Sequence, residues 1–573
     1  MQKLELTWIG KGQEPEIEPR ILIHDKNKSY GDENTENMLI HGDNLLALKA
    51  LEQQYAGKIK CIYIDPPYNT GSAFEHYDDN LEHSIWLSLM KSRLEILRNL
   101  LADDGVIFVQ IDDVEQAYLK VIMDEIFGRS NFINVVTVKT KIGGVSGSSE
   151  GKSLKDATEF INIFAKDKIN LLFNDVFTYT EISEYVQKYK NEGKSWKYTS
   201  VIKELSDKVL LKDDGDIKYY GYRNFKSVSV SQFARENNIS EAEVYSRFSN
   251  KIFRTTNAQS SIRQKVIDNT EALGFDIVSI EYIPMKGKNQ GTLTEILYKG
   301  DKCNMFMLLS DMMDEINGKS YYKEKLTTLW ENIQYNNLAK EGQNSFPNGK
   351  KPELLIKNIL ELSTKSGDIV LDSFLGSGTT AAVAHKMGRK WIGIELGEHC
   401  YTHCKTRLEK IIDGEDKQGI SNDVDWQGGG GFKFYELAPS LLKKDKYDNW
   451  IVDQDNYNAD MLAAAVTKLN GYFYNPDKEV FWKQGKSTES SYIFTTTQYI
   501  TAQYLDSLAN ELGFNERLLV CCPAFDRGLN NSYDNITIKK IPQSILNRCQ
   551  FGVSDYNMNI VNFEDFEGDE DEI

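Results

Sequence analysis

The sequence predicts an α/β fold in which one doubly wound, Rossmann-like parallel sheet is encoded in two separated pieces. Three observations indicate this fold. Short apolar strands alternate with amphipathic helices up to about residue 139, the alternation stops over a polar stretch, and it resumes between residues 352 and 412. Strands that alternate with helices form parallel sheets with helices on their faces. We therefore expect one sheet with a domain inserted between its two pieces.

Each piece consists of short apolar runs that end in polar turns. The predicted elements of the first piece are strand 38–43, helix 45–54, strand 59–64, helix 84–101, strand 105–113, helix 115–127 and further strands at 132–138 and 158–166. Those of the second piece are helix 352–364, strand 367–374, helix 379–387, strand 390–396 and helix 398–412. Both sets would join a single sheet.

The chain has 573 residues, which is too long for one hydrophobic core. Regular sequence gives way to polar, irregular sequence near residue 140 and returns near residue 333. After the second piece, a linker that contains four glycines leads to a region with mixed strand and helix signals. The predicted domains are the first half of the sheet domain at 1–139, an inserted domain at 140–333, the second half at 334–416 and a smaller C-terminal α+β domain with an acidic tail at 417–573.

Composition narrows the class of protein. Hydrophobic residues make up 40% of the chain and charged residues 27%, which is typical of a globular protein rather than a disordered one. No apolar run approaches the ~18 residues of a membrane span, and the amino terminus lacks the apolar stretch of a signal peptide. The seven cysteines are scattered, which indicates reduced thiols. We expect a cytoplasmic protein without a membrane partner.

Two local patterns modify this picture. The net charge of −18 disfavours a nucleic-acid partner, but seven acids fall in the last ten residues, EDFEGDEDEI, which we expect to be a solvated, disordered tail.

The segment HCYTHC, 399–404, places two histidines and two cysteines one helical turn apart, on a face that zinc could use. No second Cys/His group has ligand spacing, so no metal is expected.

The stretch DPPYNT follows the apolar strand IKCIYI and contains Asp65, Pro66, Pro67 and Tyr68. Two prolines remove two backbone donors and fix φ, so the chain leaves the sheet in a stiff, extended loop. Such a loop holds the acid and the ring at the carboxyl edge of the sheet, where open α/β folds bind ligands. The alternative is a simple turn after a strand.

A glycine-rich turn follows the strand IVLDSF in the second piece, and Glu395 ends the next strand. An acid at this place in a βαβ unit can accept hydrogen bonds from both ribose hydroxyls, which indicates a nucleoside cofactor. The turn lacks the lysine of a phosphate-binding loop, and Ala381 replaces the third glycine of a dinucleotide motif. The acid before the turn, Asp372, suits a cationic group better than a pyrophosphate. S-adenosylmethionine, a nucleoside with a sulfonium cation, fits these features.

Three motifs resemble those of a known family. Phe374, Gly376 and Gly378 in SFLGSGTT resemble the FxGxG cofactor motif of DNA amino-methyltransferases, and DPPY resembles their catalytic motif. The catalytic motif comes first, as in the permuted β group, and FPNGKKPELLI, 346–356, resembles the helix-entry motif before FxGxG. With LIHGDNLLAL, YIDPPYNTGSAFEHYDD and an extra C-terminal domain, the chain resembles the modification subunit of Type III restriction systems.

The resemblance implies a circularly permuted methyltransferase sheet that carries an inserted target-recognition domain. In the catalytic motif, Asp65 and the Pro66 carbonyl would bind the exocyclic amine of a base, and Tyr68 would stack on that base after it leaves the duplex. In this family an acid at the first position is usual for adenine N6 and serine for cytosine N4, which favours adenine. A cytosine-N4 enzyme and a protein-glutamine methyltransferase are the alternatives; the latter usually has Asn in place of Asp65.

The family pattern also implies a cofactor site for S-adenosylmethionine. Its residues are Asp43, Lys350, Asp372, Phe374, Gly376, Gly378, Thr379 and Glu395. Lys350 would bind the methionine carboxylate, Glu395 the ribose and Asp43 the adenine end. The alternatives are a helix cap for Asp43 and a solvated loop lysine for Lys350.

The inserted domain combines basic and aromatic residues in KYKNEGKSWKY, KYYGYRNFK and YSRFSNKIFR, which suits contact with double-stranded DNA. The predicted DNA-binding residues are Lys194, Trp196, Lys197, Arg223, Lys226, Arg247 and Arg254. The alternative is an exposed face over packed aromatic rings. The resemblance further implies a homodimer joined to a helicase-nuclease restriction subunit; a stand-alone monomeric methyltransferase stays open.

Overall fold

The computed structural model divides the chain into two compact units, Met1–Asn174 with Thr327–Ile573, and Asp175–Leu326. The residues that it describes are 5–12, 18, 20–69, 83–141, 154, 156–270, 274–285, 290–300, 302–336, 338–343, 346, 349–447, 450–453, 456–488 and 490–541. The acidic tail and residues 70–82, which follow the DPPYN stretch, lie outside this part of the chain.

Strands and α-helices are numbered in chain order. The strands are β1 (Leu22–Gly31), β2 (Met38–His41), β3 (Ile59–Ile64), β4 (Leu101–Ile111), β5 (Phe132–Lys139), β6 (Thr158–Ala165), β7 (Phe177–Glu181), β8 (Ser200–Asp213), β9 (Ile217–Ser229), β10 (Ile252–Thr256), β11 (Ile277–Tyr282), β12 (Thr294–Lys299), β13 (Asn304–Leu308), β14 (Met313–Ile316), β15 (Lys319–Lys325), β16 (Leu329–Trp330), β17 (Ile369–Asp372), β18 (Lys390–Glu395), β19 (Gly431–Leu437), β20 (Leu442–Lys444), β21 (Trp450–Val452), β22 (Phe473–Tyr474), β23 (Gly485–Thr488), β24 (Ser491–Thr495), β25 (Arg517–Cys522) and β26 (Ile536–Lys540). The helices are α1 (Asn44–Tyr55), α2 (His83–Leu100), α3 (Asp113–Met123), α4 (Ile182–Asn191), α5 (Val230–Asn237), α6 (Glu241–Arg247), α7 (Ser260–Thr270), α8 (Glu353–Ser363), α9 (Thr379–Lys386), α10 (Thr406–Ile412), α11 (Ala459–Leu469) and α12 (Ala502–Glu511).

The first unit is built on a sheet whose strand order is β1-β19-β2-β18-β17-β3-β4-β6-β5-β16. The strands from β19 to β4 in this order run parallel to their neighbours. Ile62, Ile107 and Leu371 on three adjacent strands are fully buried, as expected for a parallel sheet covered on both faces. All these strands therefore end at one edge, which is where the predicted functional residues lie.

The prediction of one sheet from two separated pieces is confirmed. Strands β17 and β18 of the second piece lie between β2 and β3 of the first piece, and each is paired in parallel with its neighbours. The α/β Rossmann-like class follows from this order. Apolar side chains from the two pieces pack together in one common core.

Three details of the predicted sheet were wrong. Strand β6 is antiparallel to both β4 and β5, so the sheet is mixed rather than parallel throughout. The glycine stretch is not only a linker, because Gly431 begins β19, which pairs with β1 and β2. The sheet therefore continues past residue 416, where the C-terminal domain was predicted to begin.

The second unit, Asp175–Leu326, has a core of its own. Strands β8 to β13 close into a barrel in the order β10-β13-β12-β11-β9-β8. Strands β14, β15 and β7 form a separate small sheet. Its boundaries differ from the predicted 140–333 because β6 and β16 pair with strands of the large sheet. Hydrogen bonding of these flanking strands to the sheet, which composition does not reveal, moves both boundaries inward.

The C-terminal part of the first unit contains a five-stranded sheet in the order β22-β23-β24-β25-β26. Its last three strands are parallel, and α11 and α12 contribute apolar residues to the cores beside it. This part has the mixed α and β character predicted for it. Among the described helices, none has the length and hydropathy of a membrane span.

Candidate active site

Four predicted acids lie at the carboxyl edge of the parallel strands. Asp43 follows β2, Asp65 follows β3, Asp372 ends β17 and Glu395 ends β18. Because these strands are neighbours in the order β2-β18-β17-β3, the fold brings the four acids to one side of the sheet. Residues more than 300 positions apart in the sequence therefore share one candidate site, as the two-piece sheet predicted.

The Asp65–Tyr68 loop is fixed by side chains from two helices. The indole N–H of Trp86, which is fully buried in α2, donates to the Pro67 carbonyl at 2.8 Å. Just beyond the loop, Asn69 has a positive φ of 60° and donates to Glu115 at the start of α3 at 2.9 Å. The loop is thus held from both sides.

Asp65 belongs to a network that sequence reasoning did not find. The Lys351 ammonium lies 3.2 Å from a carboxylate oxygen of Asp65 and 3.2 Å from one of Glu159. It also donates to the Tyr68 hydroxyl at 2.7 Å, and that hydroxyl lies 2.7 Å from Asp65 and 2.9 Å from Glu159. Gln110 on β4 donates to the same Glu159 oxygen and accepts from Tyr63. One lysine therefore serves two carboxylates.

The electrostatics of this network follow from its burial. Burial raises the pKa of Asp65 to about 6, although the Lys351 ammonium opposes this and the Glu159 carboxylate adds to it. Burial also raises the pKa of Glu159, but Lys351 and the donated hydrogen bonds of Gln110 and Tyr68 outweigh it, so that pKa is lowered overall. The two acids hold the pKa of Lys351 above its usual range despite burial. Lys351 is charged near neutral pH.

The two acids beside the glycine-rich turn have a different environment. Asp372 accepts from the Phe374 backbone N–H at 2.9 Å and from the Thr380 hydroxyl at 2.6 Å. Glu395 accepts from the backbone N–H groups of Gly376 at 2.6 Å and Leu396 at 2.8 Å. Burial, to which the neighbouring acids Asp65 and Glu395 add, raises the pKa of Asp372 to about 7, although the hydrogen bonds from Thr380 and Phe374 oppose this. Backbone N–H groups orient both carboxylates, together with the Thr380 hydroxyl at Asp372 and the His399 ring at Glu395.

The glycine-rich turn is shaped by two backbone conformations that favour glycine. Gly376 has φ 56° and Gly378 has φ 80° at the residue that precedes α9. A side chain on Gly378 would bring its Cβ to 3.3 Å from the backbone of Cys404, so the turn packs tightly on the helical segment just before α10. Phe374, which is 5% exposed, packs into the core of the sheet. These residues shape the turn.

Thr379 contributes to the same turn through structural contacts. Its hydroxyl accepts from the Arg407 guanidinium at 2.8 Å and donates to the Lys351 carbonyl at 3.2 Å. Arg407 is fully buried and also pairs with Glu353 at 2.8 Å, which in turn pairs with Lys386 at 2.8 Å. This buried ionic cluster fixes α8, α9 and α10 beneath the turn. A cofactor contact of Thr379 stays a prediction.

Asp43 caps a helix and retains one unused acceptor. One carboxylate oxygen accepts from the Leu46 N–H at the start of α1 at 3.1 Å, as the capping alternative stated. The other oxygen, Oδ2, is buried and has no hydrogen-bond partner among the described residues. Buried acceptors are normally satisfied, so this oxygen is consistent with a ligand at the adjacent edge.

Lys350 and Lys351 are adjacent but face different groups. The Lys350 side chain is 5% exposed and donates to the Glu341 carbonyl at 2.5 Å. Burial and the nearby Arg407 guanidinium lower its pKa to about 7. The solvated-lysine alternative was therefore wrong, because this side chain is buried. Its predicted contact with a ligand carboxylate stays a prediction.

The predicted DNA-binding residues of the second unit fall into two groups. Trp196 lies among the rings of Tyr185, Tyr189, Tyr198, Tyr245 and Tyr322, and Arg254 lies over the ring of Tyr198. Both side chains are partly buried in this packing, so their contact with DNA stays a prediction. The exposed residues are Lys194, Lys197, Arg223, Lys226 and Arg247.

The charge of this unit also corrects the sequence interpretation. Residues 175–326 contain 23 lysines and arginines but 22 aspartates and glutamates, so the segment is close to neutral rather than basic. Lys226 pairs with Glu204 at 3.1 Å, and Arg247 lies 3.8 Å from Glu243. It is nevertheless far less acidic than the rest of a chain whose net charge is −18.

The residues of the metal alternative have other contacts. His399 lies 2.9 Å from Glu395, and the thiols of Cys400 and Cys404 are buried. Burial raises the pKa of both thiols. Over the described part of the chain, no group of three His, Cys, Asp or Glu side chains is arranged to hold a metal ion. The six described cysteines are all free.

Known proteins resemble this chain in sequence. The family model described as "DNA methylase" matches residues 59–406. The chain is 56% identical over 405 residues to the probable type III restriction-modification enzyme HindVI Mod subunit of Haemophilus influenzae, with 70% of this chain and 54% of that protein covered. It is 28% identical over 422 residues to the type III EcoPI Mod subunit of Escherichia phage P1, with 67% and 61% covered. These relatives confirm the predicted resemblance to Type III modification subunits.

The match to a solved structure, the M1.HpyAVI–SAM complex, covers 65% of this chain and 99% of that chain, with 14% sequence identity. Its TM-score of 0.29 is too low to support a conclusion. The chain spans between about half and three fifths of the length of the curated relatives named above. The family model matches residues 59–406, which are more than half of the 573 residues of this chain. The chain therefore belongs to the DNA methylase family.

Proposed function

We propose that the chain transfers a methyl group from S-adenosylmethionine to the N6 amine of adenine in duplex DNA. The observation that carries this proposal is the Asp65–Tyr68 loop, held rigidly at the same sheet edge as Asp372 and Glu395. Membership of the DNA methylase family and the similarity to Mod subunits of Type III enzymes support it.

The residues at the edge fit S-adenosylmethionine. Asp43 offers a buried oxygen without a partner, and Glu395 retains acceptor capacity for ribose hydroxyls because each carboxylate oxygen has two lone pairs. Asp372 lies where its carboxylate would face a cation. We assign the cofactor to these acids, to the turn of Phe374 to Gly378 and, at its carboxylate, to Lys350. When bound, S-adenosylmethionine supplies an electrophilic methyl group on a sulfonium sulfur.

The catalytic loop acts on the amine of the target base. That amine is a poor nucleophile because its lone pair is delocalised into the ring. Hydrogen bonds from the amine to the Asp65 carboxylate and the Pro66 carbonyl localise the lone pair on nitrogen, and Asp65 is positioned to accept the proton that nitrogen loses. Because Trp86 fixes the loop in advance, little reorganisation is needed in the transition state.

The base must leave the duplex before these contacts form, since its amine lies inside the helical stack. Tyr68 supplies an aromatic face on which the extruded base stacks, with its hydroxyl anchored by Lys351. The acid at the first motif position favours adenine over cytosine.

We assign target selection to residues 175–326, the separate compact unit, and a contact with partner chains to the C-terminal part. We further propose that the chain forms a homodimer that joins a helicase-nuclease restriction subunit. The names of its relatives, which are Mod subunits of type III restriction-modification enzymes, support a restriction-modification assembly. Exchange of residues 175–326 for those of a relative should change the methylated sequence and leave the methylated atom unchanged. A methylated sequence that follows the C-terminal part instead would contradict the assignment.

The reaction is tested with S-adenosylmethionine labelled at its methyl group. Duplex DNA incubated with the protein and this cofactor is digested to nucleosides, and the label should appear in N6-methyl-2′-deoxyadenosine. The same preparation with RNA or protein as substrate is the control. Label in N4-methylcytosine would establish the runner-up enzyme, and label in RNA or protein alone would exclude a DNA methyltransferase.

A further inference from the structure

We propose that Lys351 and Glu159 are positioning residues that control, with opposite effects, whether Asp65 is ionised when it meets the target amine. Glu159 lies outside the three family motifs, and Lys351 lies in the helix-entry motif at 346–356, where the family pattern assigned a role to Lys350 and not to Lys351. The catalytic consequence rests on the proposed function, whereas the effect on Asp65 is a property of the protein alone.

The geometry explains how the two residues reach Asp65. Strand β6 is antiparallel to β4, so it begins at the edge where the parallel strands end, and this places Glu159 beside the catalytic loop. Lys351 precedes α8 and inserts its ammonium between the two carboxylates at 3.2 Å from each. Both contacts are short and largely withdrawn from water, with 9% of the Lys351 side chain exposed. Charges at this spacing interact strongly.

Stability does not explain this arrangement. Burying a charged network costs desolvation free energy, and well-packed apolar residues in the same place are often as stable. The network also converges on one atom, because Glu159 Oε2 receives hydrogen bonds from Tyr68, Gln110 and Lys351. This bracing holds Glu159 close to Asp65 as a like charge, while Lys351 opposes it. The pair therefore adjusts the reacting acid from both sides.

Every element packed against Asp65 contributes polar or charged groups. Among the described residues, these are Tyr63 on β3, Gln110 on β4, Glu159 on β6, Tyr335 after β16, Lys351 before α8, Asp372 on β17 and Tyr68 on the loop itself. Lys351 supplies the positive charge within this set. Removal of Lys351 leaves the carboxylates of Asp65, Glu159 and Asp372 without a positive charge in this set. Neutralising Glu159 leaves one carboxylate fewer to compete with Asp65 for the Lys351 ammonium.

The first test measures single-turnover methylation against pH. The wild-type rate should fall as the pH drops through about 6, because protonation of Asp65 removes its negative charge as an acceptor for the amine. Lys351→Met should move this acid limb up by about one pH unit or more, since an opposite charge at this distance lowers a carboxyl pKa by about that amount. Glu159→Gln should move it down. Lys351→Arg should restore the wild-type limb.

Lys357→Met is the matched control, because this lysine lies on α8 and pairs with Asp423 at 3.0 Å away from the catalytic loop. Its acid limb should equal that of the wild type. Lower rates with unchanged limbs in Lys351→Met and Glu159→Gln would show a merely structural role, and limbs that move in the same direction would equally overturn the proposal.

The second test needs no DNA or cofactor. A raised pKa means that folded Asp65 holds a proton which the unfolded chain has lost, so Asp65 costs stability as the pH rises from about 4 to about 6. The difference in Tm between wild type and Asp65→Asn should change over this range. In a Lys351→Met background, the pH range over which this Tm difference changes should extend to higher pH. In a Glu159→Gln background, the range should end at a lower pH. Identical ranges in all backgrounds would overturn the proposal even if the chain methylates another substrate.

Discussion

The two sides of the catalytic edge use carboxylates differently. On the side of β3, β4 and β6, Asp65 and Glu159 share the charge of Lys351. On the side of β2, β17 and β18, backbone N–H and hydroxyl groups hold Asp43, Asp372 and Glu395, and the ring of His399 also lies 2.9 Å from Glu395. Among the described residues, no lysine or arginine forms an ion pair with Asp43 or Asp372. One side therefore supplies its own cation, and on the other side we propose that the cofactor supplies it.

This difference shows how one sheet edge separates two tasks. A carboxylate that must accept a neutral amine gains from an internal counter-ion that keeps it charged. A carboxylate that must bind a cationic cofactor gains from neutral donors, which orient it without neutralising it. The pKa values of about 6 for Asp65 and about 7 for Asp372 are consistent with this contrast, since the second acid lacks a nearby cation.

The largest effect is expected from Asp65→Ala. Removing the acceptor of the target amine should lower the single-turnover rate of methyl transfer by about 10³-fold, comparable to the loss of a preorganised transition-state partner. The affinity for S-adenosylmethionine, measured by calorimetry, should stay within about twofold because Asp65 lies on the other side of the edge. Equal losses of rate and cofactor affinity would break the separation of tasks.

Glu395→Ala should show the reverse behaviour. The change removes a charged acceptor from the ribose and from the Gly376 N–H, so cofactor affinity should fall by about 10²-fold. The rate at saturating S-adenosylmethionine should change much less. Calorimetry and single-turnover assays on the same preparation distinguish the two quantities, and a rate loss with unchanged affinity would place Glu395 in the catalytic half.

Cofactor affinity should depend on pH through Asp372. Its pKa is raised to about 7 in the free protein, and a bound cation favours the ionised form, so binding releases a proton near neutral pH. Affinity should increase by about tenfold between pH 6 and pH 8. Titrations in two buffers with different ionisation enthalpies would detect the released proton. Asp372→Asn should bind without this dependence, and the same pH dependence in that variant would contradict the assignment.

Trp86→Phe should give the smallest effect and should be confined to the catalytic side. It keeps the aromatic volume but removes the hydrogen bond to the Pro67 carbonyl, which is worth about 1 kcal/mol, or about fivefold in rate. Cofactor affinity should not change. A comparable loss of cofactor affinity would indicate that the loop supports both sides.

Sequence predicted the acids of this edge because parallel strands carry their functional residues at their carboxyl ends. Asp65, Asp372 and Glu395 each stand at the end of an apolar run, so their convergence followed from the order of strands and helices. The helix and strand positions of the two pieces were predicted for the same reason, because their apolar periodicity is strong.

The residues that sequence reasoning missed reach the site by other routes. Glu159 lies at the beginning of an antiparallel strand, so its position follows from strand direction, which apolar periodicity does not encode. Lys351 is 283 residues from Tyr68, and nothing in the pair Lys350–Lys351 indicated which of them faces the loop. Trp196 was predicted to bind DNA because its neighbours are basic, yet it packs among five tyrosine rings. Such outcomes depend on tertiary contacts.

Modification-sensitive sequencing of genomic DNA from cells that express the protein tests the central claim most directly. Cells with the wild-type chain should contain N6-methyladenine at one recurring sequence, and cells with Asp65→Ala should lack it although the protein is present at the same level. N4-methylcytosine at a recurring sequence, or N6-methyladenine that persists in the Asp65→Ala cells, would contradict the claim that Asp65 directs methyl transfer to the amine of adenine.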